Sequence, residues 1–339
     1  MKKGSLYRKL LLLAAMLFLI LMGAGLTVVM QPVPIRLDLA TPPQVSPADL
    51  ERHVRMLAET FHPRSYDQTA NIDATASYIE ACLNDAGARV HSEEFTVPEG
   101  TFRNIIGEYG PENGPVLIVG AHYDSNREKL KEGLLHTPGA DDNASGVAGL
   151  LALGSLLKAQ PPNVRVVLAA YPLEEPPFYD TDRMGSAVHA SLVKESKDEI
   201  IGMICLEMIG YFSDDPGSQE YPVKPLAWLY PDTGNYIAIV GRLQDISLTR
   251  SVKRAMKAVS DLPVYSMNAL AQIEGVDYSD HRNYWRHGYT AVMITDTAFY
   301  RNKNYHMGSD TPDTLDYLRM SKVVQGVFSS VHYIAAEYQ

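Results

Sequence analysis

Cysteine is scarce: the 339 residues include two, Cys82 and Cys205. That excludes a cysteine-rich structural zinc site. Each lies in an apolar run, "ASYIEACLNDAG" and "IIGMICLEMIG", and reads as a small buried hydrophobe rather than half of a disulfide. A surplus of cations is also missing. Thirty Lys and Arg stand against 40 Asp and Glu, for a net charge of −10. Lys2, Lys3, Arg8 and Lys9 are the only charges before Arg36, so the chain beyond them carries −10 − 4 = −14. That balance excludes a typical nucleic-acid binder, which presents a basic surface. It suits a protein that gathers carboxylates around cations. No internal repeat is visible, so a solenoid is excluded as well.

Charge of either sign is absent from Leu10 to Met30, 21 residues. At 1.5 Å per residue this run spans roughly 31 Å, enough for a hydrocarbon core of about 30 Å. The basic start "MKKGSLYRK" precedes it, which keeps the N-terminus cytoplasmic and exports everything after Gln31. A cleaved signal peptide is the alternative, with "MGAGL" as the small-residue processing site. The expectation is an uncleaved signal anchor in residues 1–30, with the domain beyond it on the periplasmic or extracellular side. A cleaved, secreted form is the other outcome.

Residues 31–45, "QPVPIRLDLATPPQV", hold four prolines and read as an extended linker. One folded domain is expected over 46–339. "SPAD" opens its first helix with a capping Ser46, proline at the first position and an acid in the first turn. A second helix is expected from about Ile72 to Ala86. Strand-like runs "RVHSEEFTV", "RNIIGEYG" and "GPVLIVGAHYDS" follow. Helices at "ASGVAGLLALGSLLKAQ", "GSAVHASLVKES", "ISLTRSVKRAMKAVSD" and "LRMSKVVQGVFSSVHYIAAEY" then mix with strands at "VRVVLAAY", "IIGMICLEMIG", "YIAIVG" and "TAVMIT". Several strands are near-continuous apolar runs, as happens when helices cover both faces of a sheet. The pattern predicts a three-layer α/β/α fold with a mostly parallel twisted sheet, preceded by one N-terminal membrane helix. Residues 212–235, rich in Pro and Gly, are expected as an excursion near the site.

Ligands of open α/β sheets bind at the carboxyl ends of the strands. Acids and imidazoles collect there. "VLIVGAHYDS" ends in His122 and Asp124, "GADDNASG" carries Asp141 and Asp142, and "VVLAAYPLEE" ends in Glu174 and Glu175. Glu207 sits in "GMICLEMIG", and His306 in "NYHMGSDTPDT". An unpaired buried carboxylate is expensive, so two adjacent glutamates after a buried strand need a counter-charge. A pair of divalent ions is the simplest one. Two such ions about 3.5–4 Å apart share a water, lower its pKa and polarise a carbonyl. A carboxylate beside that water moves its proton to the leaving amine. One glutamate therefore holds metal while its neighbour handles protons.

Over residues 100–320 the chain resembles the two-zinc exopeptidases that include bacterial leucyl aminopeptidases and glutamate carboxypeptidase II. The resemblance rests on "AHYDS", "GADDNASG", the paired "EE", "LEMIGY", "YSDH" and "YHMGSDTPDT". It implies one zinc on His122 and Glu207, a second on Glu175 and His306, and Asp142 bridging them. Glu174 is then the general base, Asp124 orients the His122 ring, and Asp280 of "YSDH" supports the site from behind. It also implies a cis peptide after Asp142. Oxygen and imidazole donors without thiolate suit zinc, and manganese or cobalt as well. Two departures stand out. The loop after the paired glutamates, "PPFYDTDRMGSAVHA", is longer than in many relatives. The carbonyl-polarising tyrosine expected three residues before "SDH" is Val276 here, so Tyr278 serves from a shifted loop or another donor does.

The function implied is an aminopeptidase acting on peptides. A glutaminyl-cyclase-like acyltransferase and an inactive binding ectodomain are the rivals. The cyclases depart from "DDNASG", which this chain keeps, and a dead module would not keep all five ligands and Glu174. Asn143-Ala144-Ser145 matches a glycosylation acceptor but falls in the expected metal-binding turn and is read as inaccessible.

Overall fold

The computed structural model of the chain describes residues 2–33, 37–131 and 133–338. Residues 34–36 of the expected linker lie outside the described residues. Helix α1 is Lys2–Met30; its apolar stretch Leu10–Met30 is mostly exposed, and its last turn packs on the rest of the protein. Helix α2 (Pro47–Arg55) starts as its sequence signals: the Ser46 side chain accepts from Asp49 N at 3.2 Å, and Pro47 takes the first position. Helix α3 runs Thr69–Asp85, three residues earlier than expected. Strands β1 (Arg89–Val97), β2 (Gly100–Tyr109) and β3 (Val116–His122) follow. A short hairpin, β4 (Arg127–Leu130) and β5 (Gly133–His136), comes next. Then come α4 (Gly146–Ala159), β6 (Arg165–Tyr171), α5 (Gly185–Ser196), β7 (Ile200–Glu207), β8 (Ile237–Arg242) and α6 (Ile246–Val259). The chain ends with β9 (Val264–Ala269), α7 (His281–Arg286), β10 (Ala291–Thr295) and α8 (Tyr317–Glu337).

Eight strands form one sheet in the order β1-β2-β6-β3-β7-β10-β8-β9. The centre is parallel: β6, β3, β7 and β10 run alike. Antiparallel pairings join β1 to β2, β2 to β6 and β10 to β8, while β8 and β9 are parallel. Alternate residues face opposite layers, as the two-residue period of a strand requires. Leu117, Val119 and Ala121 of β3 join Val166 and Leu168 of β6 in a core shared with α2, α3, α4, α6 and α8. Ile118, Val167, Ala169 and Cys205 point the other way, to Ala190 of α5 and to Tyr284 and Trp285 of α7. This double cover explains the near-continuous apolar strands.

The sequence did not signal the β4–β5 hairpin, β9 or α7. The hairpin strands are largely exposed and carry charges, and β9 alternates buried and half-buried positions over six residues. Both cysteines are free; Cys205 is buried, whereas Cys82 is only half-buried.

Candidate metal centre

Parallel strands deliver their carboxyl ends to one edge. β3 lies between β6 and β7, so His122 at its end stands between the glutamates after β6 and Glu207 at the end of β7. Asp142 enters from the turn before α4, and His306 from the loop before α8. His122, Asp142 and Glu207 offer ligand atoms all within 4.8 Å of one another, and so do Asp142, Glu175 and His306. The groups share Asp142. Its Oδ1 faces His122 Nε2 at 3.3 Å and its Oδ2 faces His306 Nε2 at 3.2 Å. His122 Nε2 also lies 3.4 Å from Glu207 Oε2, and His306 Nε2 lies 3.2 Å from Glu175 Oε2. All five expected ligands therefore converge.

The surroundings fix each group. Asp124 is buried and its carboxylate does three things: Oδ1 meets His122 Nδ1 at 3.3 Å and accepts from Glu174 N at 3.1 Å, while Oδ2 accepts from Glu175 N at 3.1 Å. One carboxylate thus sets the ring and the turn that carries both glutamates. Ser279 Oγ donates to Glu207 Oε2 at 2.6 Å. Asp310 accepts from Asp141 N at 2.9 Å and Asp142 N at 3.1 Å. Asp141 turns away from the centre and accepts from Gly210 N at 3.0 Å and Asn302 Nδ2 at 2.8 Å. Asn143 bonds Leu206 O at 2.9 Å and Met208 N at 3.1 Å, tying this turn to the end of β7. Its side chain is wholly buried, so the glycosylation match is inaccessible. The Asp142–Asn143 peptide is cis.

Gly139 begins the turn at φ 60 and ψ 48, and a Cβ there would stand 2.2 Å from Asp142 O. Only glycine fits a left-handed position so crowded. Leu173 (φ 62), Met208 (φ 49) and His306 (φ 58) are left-handed without being glycine, and each is at or beside a site residue. Such backbone is unfavourable and clusters at functional sites.

Arg64 gave no signal in "FHPRSYD". It is fully buried and donates to Tyr123 O at 3.0 Å, Leu57 O at 2.5 Å, Pro138 O at 2.9 Å and Gly139 O at 2.9 Å. It ties the end of β3 to the turn that carries Asp142. Burial lowers its pKa to about 10, with Asp310 and Asp124 opposing that shift.

Burial, and then the carboxylate of Asp142, push Glu175 up to about 7. Burial moves Glu174 well above the usual carboxylate range; Glu175, Glu207 and Asp280 add to that, and His122 offsets part of it. Asp142 goes the other way: burial would raise it, but His122 and His306 hold it below the usual range. Burial also lifts the Asp280 carboxyl to about 7.

A cavity of about 280 Å³ opens beside the centre, lined by Glu174, Glu175 and His306 and extending along β8, β9 and β10. The 212–235 excursion forms one wall through Gln219, Tyr221 and Tyr230. Tyr278 is 40% exposed and its ring meets Tyr179 at 5.8 Å. Tyr305, which the sequence reading passed over, stacks on the His306 ring at 3.8 Å. Burial and then the carboxylates of Asp142 and Glu175 raise its phenol well above the ordinary range.

The model of peptidase family M28 matches residues 104–331. The chain belongs to that family. It is 51% identical over 293 residues to the uncharacterized protein YfbL of Escherichia coli K12, covering 86% of this chain and 90% of that one. It is 27% identical over 282 residues to leucine aminopeptidase 1 of Aspergillus clavatus; the match covers 78% of this chain and 65% of the fungal protein. Solved structures share the fold. A Zn-dependent exopeptidase from Parabacteroides distasonis superposes with a TM-score of 0.62 at 19% identity, covering 86% of this chain and 99% of the other. The glutaminyl cyclase of Fimbriiglobus ruber does so with a TM-score of 0.66 at 21% identity, covering 89% and 99%. The M28 match encloses every convergent residue from His122 to His306.

Proposed function

We propose that this M28 chain is a metal-dependent aminopeptidase that releases N-terminal residues from peptides. One observation carries the reading: two ligand groups joined through Asp142 border a cavity whose lining, among the described residues, contains acids but neither Lys nor Arg. A substrate's free α-ammonium is welcome in such a cavity. An α-carboxylate would find no Lys or Arg partner among those lining residues.

The donor set fits two divalent ions, His122, Asp142 and Glu207 holding one and Asp142, Glu175 and His306 the other. Among the described residues, His122 Nε2 and Glu175 Oε1 are buried without a hydrogen-bond partner, as metal-directed atoms would be. Zinc is our choice, and manganese or cobalt suit the same donors. When bound, the ions supply an acidified water and an electrophilic pull on the scissile carbonyl.

The chain's own groups do the rest. Glu174 belongs to neither ligand group and lines the cavity, where its carboxylate takes the proton of the attacking water and passes it to the leaving amine. Asp124 holds the His122 ring in one tautomer and keeps Glu174 and Glu175 in register. Tyr278 or Tyr305 donates to the substrate carbonyl, and both line the cavity. The Leu10–Met30 helix is an uncleaved anchor in this reading, with residues 46–339 as the exported catalytic domain.

Mass spectrometry of unblocked peptides incubated with the zinc-loaded protein tests the proposal. Free N-terminal amino acids are expected, and N-acetylated peptides should survive. Loss of ammonia from N-terminal glutamine would indicate a cyclase, release from the C-terminus a carboxypeptidase, and no product a binding module.

A further inference from the structure

The exit of the apolar helix is clamped to the domain. Lys253 Nζ donates to Met30 O at 2.6 Å and to Ser266 Oγ at 3.1 Å, and Ser266 Oγ donates to Met30 O at 2.9 Å. Arg250 Nη2 donates to Gln31 Oε1 at 2.9 Å, and Gln31 is wholly buried. These bonds seat α1 against β9. Beside them lies a second cavity of about 290 Å³, in which Leu26 and Met30 of α1 face Pro263 and Val264, with Lys253 and Lys257 at its polar side.

Two features identify its occupant. The first is charge. The chain is acidic overall, yet α6 carries Arg250, Lys253, Arg254 and Lys257 and no acid. Positions 250, 253 and 257 share one helix face, and this face adjoins α1. Lys257 makes no ion pair among the described residues, while the nearby Asp261 is engaged by Lys322 at 2.6 Å. The second is depth. Leu26–Met30 are the last five residues of the apolar span, about 7 Å of helix, which is where headgroups meet acyl chains.

We propose that this crevice binds one anionic phospholipid, its phosphate on Lys257 and the polar end of Lys253 and an acyl chain along Leu26 and Val264. The site rests on the anchor reading of α1. It lies outside the metal centre and would fix how the domain stands on the membrane.

The full-length protein is reconstituted in vesicles of phosphatidylglycerol or of phosphatidylcholine, extracted into mild detergent and weighed by native mass spectrometry. One retained phosphatidylglycerol per chain is expected, with phosphatidylcholine lost. Lys257→Glu should cut retention roughly thirtyfold, since each basic residue at a membrane surface contributes about fivefold and a reversal counts twice. Leu26→Trp, which fills the crevice from the α1 side, should abolish it. Peptide hydrolysis should be unchanged in Lys257→Glu, which also reports correct folding. Excess inorganic phosphate should not displace the lipid. Equal retention of both lipids, indifference to Lys257→Glu, displacement by phosphate, or an intact chain carrying no lipid or a second protein instead would each overturn the site. A chain whose mass shows loss of the first 25 or so residues would overturn the anchor and the lipid site together, so the two failures are separable.

Discussion

Asp124→Asn removes one charge and changes almost no volume. In the native protein the carboxylate accepts from Glu174 N and Glu175 N, both at 3.1 Å, and meets His122 Nδ1 at 3.3 Å. An amide offers one oxygen and one NH2 group. Whichever way it turns, one of the two backbone donors then faces another donor. A hydrogen bond to a charged group contributes about 1.5–3 kcal/mol, and the stranded buried N–H adds a similar cost. The His122 ring also loses the anion that favours its Nδ1–H tautomer, and outer partners of metal-bound histidines typically contribute 10–100-fold to affinity. The expected result is a metal dissociation constant weakened by about 10–100-fold, a lower kcat/KM, and a fold that remains intact by circular dichroism. Competition with a chromogenic chelator measures the first, and hydrolysis of an N-terminal leucyl amide the second. Native metal affinity in Asp124→Asn would refute the positioning argument.

Three further outcomes follow from particular residues. Gly139→Ala should destabilise the protein by at least about 1–2 kcal/mol, the cost of a left-handed non-glycine residue, and should lower metal content because the new Cβ pushes on Asp142 O; urea denaturation with metal analysis checks both. Burial holds His281 down to about 4. The unfolded imidazole gains its proton as pH falls through about 6.5 and the folded one does not, so stability is lost between about pH 6.5 and 4, up to roughly 3 kcal/mol, and His281→Gln should flatten that slope in denaturation curves. Chelation should lower the melting temperature, since a ligand at 100 times its dissociation constant stabilises by about 2.7 kcal/mol; an unchanged melting temperature with the metal verifiably gone would contradict a bound-metal role for the buried acids.

The fold and the five convergent residues were legible because their signals are local. Apolar runs ending in His122, Glu207 or the Glu174–Glu175 pair state both the strand and the edge at which it stops. Other features were silent for physical reasons. Arg64 acts entirely through backbone carbonyls of segments distant in sequence, and no local pattern marks such a role. Asp310 and Ser279 stood inside noted motifs, yet their tasks, holding two backbone N–H groups and the Glu207 carboxylate, depend on tertiary contact. β9 has only six residues and one fully covered face, so its period was too short to read. Tyr305 was overshadowed by His306 beside it, although the stacked pair sits where substrate would lie.

The most direct test of the central claim separates the two adjacent glutamates. Glu174→Gln keeps size and polarity but cannot take a proton, and Glu175→Gln replaces a charged donor with a weak one. Both variants are loaded with zinc, dialysed, and measured for metal content and for turnover of an unblocked peptide. The account predicts that Glu174→Gln retains both ions and loses about 10²–10⁴-fold or more in rate, whereas Glu175→Gln holds fewer than two. Full activity in Glu174→Gln, or full metal content in Glu175→Gln, would contradict it.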